Sequence, residues 1–227
     1  MKLQHIKVVT LAATLLTFGS LAGEANGAVL TFDIAGIGNF DNVAQNYGDR
    51  ITATTIGNFS YGAAEGLTPN VEIDYGSTDP SLWTTGYGDL TNVLFENVDN
   101  TGFLTITLMA DPGFEVILHS FDVASFSSSD DTIDLVGVGD APLSSSLFGE
   151  TNAIISATTS TAYDFLTPLQ ASEVVITIDS RNIGSSNDNI GIDNITFSQV
   201  AIPEPSSALL LVFGGLGIIG RRRKLAM

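Results

Sequence analysis

The stretch Leu104-Thr-Ile-Thr-Leu-Met-Ala-Asp-Pro-Gly-Phe-Glu-Val-Ile-Leu-His-Ser-Phe-Asp-Val123 decides the fold class. In its first part Leu104, Ile106 and Leu108 alternate with Thr105 and Thr107. That period of two suits a half-buried strand and not a helix. Asp111-Pro112-Gly113 then predicts a turn, because Pro presets one turn dihedral and Gly accepts the next. Residues 116–123 follow as a longer strand with both faces partly apolar. The same alternation spreads outward: Leu30, Phe32 and Ile34; Val71, Ile73 and Tyr75; then 133–138, 174–179 and 190–200. Breakers separate these runs at 36–39, 62–70, 76–80, 97–102, 127–131 and 184–189. Residues 171–174 read as a single helical turn. Short strands at roughly ten-residue spacing predict a β-sandwich or barrel. Ser, Thr, Asn and Asp at outward positions suit antiparallel sheets with one wet face. The fold class expected is therefore all-β, a jelly-roll-like antiparallel β-sandwich of about 8–12 strands. No fixed internal period points to a solenoid or propeller.

One segment breaks the alternation. In Asn189-Ile-Gly-Ile-Asp-Asn-Ile-Thr-Phe-Ser198, Ile190 and Ile192 share one parity, while Ile195 and Phe197 share the other. A β-bulge at Asp193-Asn194 would keep both pairs in the core and re-aim a carboxylate.

The chain has 227 residues, 25 acidic and 8 basic side chains and no cysteine. All the carboxylates but Glu24 and Glu204 lie between Val29 and Ile202, against Arg50 and Arg181 alone, which leaves this body at -21. Nucleic acid is not an expected partner, since phosphate neutralisation needs Lys and Arg. A body of this size can bury a sufficient core without disulfides.

The two ends read as addresses. Residues 1–28 predict a secretory signal peptide, with Lys2 and Lys7 before an apolar run and small residues before the cut. Residues 29–201 form the secreted domain, and 202–227 the tail. The tail runs Pro203-Glu204-Pro205, then an apolar span to Gly220, then Arg221, Arg222, Arg223 and Lys224. The prolines separate body from tail, because neither fits a ladder or a helix interior. Residues 206–220 would make a helix of roughly 22 Å at ~1.5 Å per residue, short of the ~30 Å hydrocarbon core. The basic cluster belongs on the cytoplasmic side of the inner membrane, with the acidic body outside.

This layout resembles the PEP-CTERM protein-sorting signal of Gram-negative bacteria. The resemblance implies an exosortase as partner, a membrane-embedded enzyme like a cysteine protease. It would cut near Pro203-Glu204-Pro205 and release the body or pass it to the cell surface. The implied setting is exopolysaccharide and biofilm matrix, with the inner membrane a transient partner through the tail helix. The Gly191-Ile-Asp-Asn-Ile195 stretch in turn resembles the last strand of secreted jelly-roll domains, including carbohydrate-binding modules and MAM-like domains. That likeness implies a structural calcium held by Asp193, with Asp33 as its partner near the first strand.

Catalytic templates lack parts. The body has no Cys for a thiolate and no Lys for a Schiff base. Its sole histidine is His119, and no Gly-x-Ser-x-Gly elbow accompanies it. Paired carboxylates of the glycosidase kind need a separation that sequence does not supply. Asp and Asn clusters in loops suit calcium, without EF-hand spacing. Trp83, Tyr87 and Tyr61 lie in or beside Gly-rich segments and are the candidate sugar contacts. The expectation is a secreted, non-catalytic surface or matrix protein. A carbohydrate-binding module for extracellular polysaccharide is the alternative, and a polysaccharide-active hydrolase the third.

Overall fold

The Asp111-Pro112-Gly113 turn closes with the Phe114 N–H donating to the Asp111 carbonyl at 3.0 Å, with Gly113 at φ 91°. The computed structural model describes residues 27–61, 68–76, 80–96, 101–141 and 144–202, and in it this turn joins two different sheets. The strands are β1 (Ala28–Leu30), β2 (Thr55–Ile56), β3 (Phe59–Ser60), β4 (Val71–Asp74), β5 (Ser81–Trp83), β6 (Val93–Phe95) and β7 (Phe103–Ala110). Then come β8 (Phe114–Ser125), β9 (Asp131–Asp140), β10 (Ser145–Ile155), β11 (Thr161–Ala171), β12 (Glu173–Asp179) and β13 (Ile190–Ala201).

One sheet has the order β11-β8-β13-β6-β5, with β1 also paired to β13; the other has the order β10-β9-β12-β7-β4. A two-stranded ribbon, β2-β3, stands apart. Every pairing is antiparallel. The β5–β6 and β9–β10 connections stay within a sheet, and every other step from β4 onward crosses between sheets. Two antiparallel sheets joined by crossings at nearly every turn make the all-β sandwich the sequence predicts. Leu104, Ile106 and Leu108 of β7 and Ile176 of β12 meet Val116, Leu118, Phe121 and Val123 of β8 in one shared core. The alternation of β7 is what places them there, since successive side chains of a strand point to opposite faces.

Several details depart from the sequence reading: β1 ends at Leu30, short of Phe32 and Ile34, and the short strands β2, β3, β5 and β6 have no counterpart among its runs. Residues 171–174 make no helical turn; they end β11 and begin β12, and the Ser172 carbonyl accepts the Ala110 N–H at 2.9 Å. A 3-10 helix, Arg181–Asn189, occupies what reads as a breaker, kinked at Gly184 with φ 66°. Strands β10 and β11 are absent from the sequence reading because both are edge strands whose positions are mostly exposed. Pro168 lies in β11 where its ladder with β8 is irregular, as an edge allows. The signal peptide and the tail helix lie outside the described residues. Among the described residues no helix is long and apolar enough to cross a membrane.

An aromatic knot closes the core beside β1. The Tyr47 hydroxyl accepts the Phe32 N–H at 2.9 Å and donates to the Ser60 carbonyl at 2.8 Å, so it ties β1's exit to β3. Phe32 stands at φ 50°, a costly conformation for a bulky residue. Tyr47→Phe keeps the ring and strands a buried N–H. It should cost about 1–3 kcal/mol in urea unfolding; an unchanged midpoint would show that Phe32 is held by packing alone.

Candidate functional site

Strand β13 carries the predicted bulge, and β8 answers it. Asp193 pairs Asp122, Thr196 pairs Ser120, and Phe197 pairs Leu118. Asn194 and Ile195 thus stand against Phe121 alone, and His119 is then the extra residue on β8, which restores the register. Ile190, Ile192, Ile195 and Phe197 are all buried, as the parity argument requires. On β8, Leu118 and Phe121 are likewise three residues apart and both buried. That second parity switch accounts for a strand that looks apolar on both faces in the sequence.

The bulge also marks a seam. The edge of β13 away from β8 is shared: Gly191 and Ile192 pair with β6, whereas Ile195, Thr196 and Phe197 pair with β1. Asp193 and Asn194 fall in the gap, on the outer side of the sheet. Asp33, just beyond β1, accepts a hydrogen bond from the Asn92 amide, just before β6. Asn92 and Asn194 have φ of 58° and 53°, left-handed values that Asn tolerates better than most residues. The Asn194 N–H donates to Asp193 Oδ1 at 2.7 Å, and its amide donates to Asp122 Oδ2 at 2.9 Å.

This pocket is acidic. Asp193 is buried at 4% exposure, and burial first, then the charges of Asp33 and Asp122, push its pKa up to about 8. The Asp122 carboxyl is also raised, by burial and by Asp164 and Asp89. The body's two arginines are engaged elsewhere: Arg50 with Asp111 and Glu72, Arg181 with Asp179. Among the described residues no group of three or more His, Cys, Asp or Glu side chains is placed to hold a metal ion.

The residues between β5 and β6 roof the same outer face. Tyr87, Leu90, Val93, Phe95 and Ala124 form a second, smaller cluster there. A Cβ on Gly191 would come within 2.7 Å of Val93 Cγ2 and 2.9 Å of Tyr87 Cδ1, so only glycine lets the roof sit down. The Tyr87 hydroxyl donates to the Asp188 carbonyl at 2.9 Å. Beside this roof opens a cleft of about 110 Å³ lined by Phe40, Trp83, Tyr87, Phe95 and Phe126, with Asp188 and Asn189 on its polar side.

Trp83 and Tyr87 therefore come together, and Asp193 and Asp33 come together. Tyr87 is 3% exposed and Trp83 half-buried. Tyr61 belongs to neither place: it is buried in the main core, stacked on Tyr47 at 5.1 Å, and is corrected here from surface contact to core ring. The cleft adds two rings that sequence reasoning missed, Phe40 and Phe126, at 56% and 43% exposure. Their signal was faint: each adjoins a Gly, Asn or Ser run. His119 Nε2 lies 2.8 Å from Ser198 Oγ, a cross-strand pair. Ser198 is buried, and among the described residues no carboxylate is hydrogen-bonded to His119.

Residues 201–224 match the family model described as the PEP-CTERM protein-sorting motif. The chain carries that sorting motif. The match covers the tail and is silent on the sandwich. A motif of this kind implies export and processing at the membrane. No curated protein matches the sequence. Among solved structures, the family 32 carbohydrate-binding module of C. perfringens NanJ, in complex with galactose, aligns at a TM-score of 0.32 and 8% identity. The alignment covers 57% of this chain and 93% of that one. Wild-type discoidin II of Dictyostelium discoideum aligns at 0.30 and 15% identity, over 74% of this chain and 56% of that one. Likenesses this faint carry no argument about this chain.

Asp193 sets a pH dependence. In the folded chain it keeps its proton to about pH 8, and in the unfolded chain it loses it near 4. Across that window the folded state binds more protons, so stability falls as pH rises and levels off above it. With a chelator present, urea unfolding should show a loss on the order of a few kcal/mol between pH 5 and pH 8.5. Asp193→Asn, which preserves the oxygen facing the Asn194 N–H, should flatten that slope.

Proposed function

We propose that the protein is a secreted, non-catalytic surface or exopolysaccharide-matrix protein, sorted by an exosortase through its tail. The observation that carries this reading is the sorting-motif match over residues 201–224. The order of parts supports it: Pro203-Glu204-Pro205 follows directly on β13, the last strand of the sandwich. A cut near the triplet would spare every described strand. Mass spectrometry of the protein from medium and envelope tests this. Mature chains should begin between residues 25 and 28 and end near Pro203-Glu204-Pro205. An intact tail on surface protein, in cells with a working exosortase, would overturn it.

A second reading is favoured by the aromatic cleft: the sandwich recognises an extracellular carbohydrate there. Exposed Phe40 and Phe126 flank Trp83, with Asp188 and Asn189 near enough to bind hydroxyl groups. The calcium expectation remains a proposal of lesser reach. Asp193 and Asp33 supply the hard oxygen donors calcium prefers, and a cation would supply charge that neither arginine offers. Two carboxylates make no cage, so carbonyl oxygens or water would have to complete it. Calcium added at pH 8 should raise the melting temperature of the wild type and leave Asp193→Asn unmoved; equal curves for both would remove calcium from this pocket.

A further inference from the structure

We propose that the cleft between β5, β6 and the 3-10 helix binds an organic ammonium group, with Asp188 as its counter-charge. The natural bearer would be a sugar with a free amine; that last step rests on the carbohydrate reading above. Three observations meet here. The first is the arrangement of the rings. Phe40 stands at 90° to Trp83 with centroids 4.7 Å apart, and Phe126 stands at 66° to Trp83 at 5.3 Å. A pyranose platform wants one open, flat face, and Trp83 is half-buried with two rings set across it. Crossed rings instead surround a small guest on several sides. Their faces carry the negative end of the ring quadrupole, which attracts a cation.

The second is charge. Asp188 lines the cleft, and neither Arg50 nor Arg181 lines it. The body around it is strongly acidic, so cationic ligands are drawn in and anionic polymers repelled. The volume of about 110 Å³ suits a head group. Pockets that enclose a whole drug-sized ligand run to ~300–1,000 Å³.

The third is strain. Phe40 holds φ 66°, the left-handed region, while its ring is 56% exposed. Its backbone is stitched to β5: the Phe40 N–H donates to the Leu82 carbonyl at 3.0 Å, and the Leu82 N–H to the Asp41 carbonyl at 2.9 Å. Asn39 Oδ1 accepts from both the N–H and the hydroxyl of Thr84. Folding thus fixes a bulky residue in a costly conformation and gets an exposed aromatic wall in return. Glycine would fit this backbone better.

Trp83 is the sole tryptophan, so its fluorescence reports the cleft directly. The exported protein is titrated with choline, with the neutral isostere 3,3-dimethylbutanol, with glucosamine oligomers bearing free amines, and with the same oligomers N-acetylated. Choline and the free-amine oligomers should shift Trp83 emission saturably, with the neutral partners at least about tenfold weaker. Added salt should weaken the binding. Phe40→Gly relieves the backbone and should stay folded by circular dichroism, yet lose about five- to thirtyfold in affinity. Asp188→Asn should lose about three- to tenfold and most of the salt dependence. If acetylated and free-amine oligomers bind alike, the ammonium assignment falls and the carbohydrate reading stands. If choline binds and no oligomer does, the ammonium site stands and its sugar bearer falls. No response to any probe overturns both.

Discussion

Strand β13 has to bury Ile190, Ile192, Ile195 and Phe197 on one face, although an odd spacing separates the two pairs. A regular strand would turn one pair outward into water, at a cost of ~1.5–3 kcal/mol for each large aliphatic side chain exposed. The bulge at Asp193-Asn194 removes that conflict, and its consequences spread. Its partner β8 takes up the slack one step later at His119, so the ladder beyond runs in register. The far edge of β13 cannot be covered by one strand across the irregularity, and it is divided between β6 and β1. What lies in the division is a carboxyl group on the outer face, deprived of water.

The roof over that face follows from the same constraint. Once β6 ends at the seam, the chain between β5 and β6 lies against Gly191 and Ala124, where no side chain stands in its way. Tyr87 is pinned to the 3-10 helix through the Asp188 carbonyl, which also sets the Asp188-Asn189 side of the cleft. Asp89 accepts the Ser160 N–H at 2.5 Å, and Gly88 lies so near the Thr159 carbonyl that a Cβ would approach it within 2.7 Å. The roof is therefore tied to the 3-10 helix on one side and to the β10–β11 connection on the other. Tyr87 belongs both to the roof and to the lining of the aromatic cleft, so the ties that hold the roof also place one wall of the cleft.

Much of this was legible in the residues, and the reasons for the rest are physical. Strands β7 and β12 alternate cleanly because each has one face in the core, and the bulge on β13 showed as a change of parity. Edge strands β10 and β11 have too few buried positions to leave a pattern. The twin bulge on β8 was overlooked because an apolar residue, Ile117, sits on the outward parity and masks the switch. Among aromatics the failure is sharper. Tyr61 and Tyr87 have nearly the same neighbours in sequence, glycine beside a ring, and both are 3% exposed, yet one lies in the main core and the other beneath the cleft. Local composition tells where the chain turns; it does not tell which side of a sheet the turn folds onto. Phe40 and Phe126 became recognisable only once β5, β6 and the end of β8 were placed side by side.

Charge organises the molecule on the longest scale. The body's two arginines are spent on ties within the fold, Arg50 to the turn between sheets and Arg181 to the end of β12. No basic residue of the body is then left to meet an anionic partner, and the acidic pocket at the seam has no internal cation to quiet it. The remaining basic residues lie at the two ends, outside the sandwich. For a chain whose sorting motif implies export, this separation leaves six of the eight basic residues in the two end segments and only Arg50 and Arg181 in the body. A surface that has kept almost no cations of its own is left to draw them from its surroundings. At the seam that deficit is met by the proton Asp193 keeps, and in the cleft, on the proposal above, by an ammonium group.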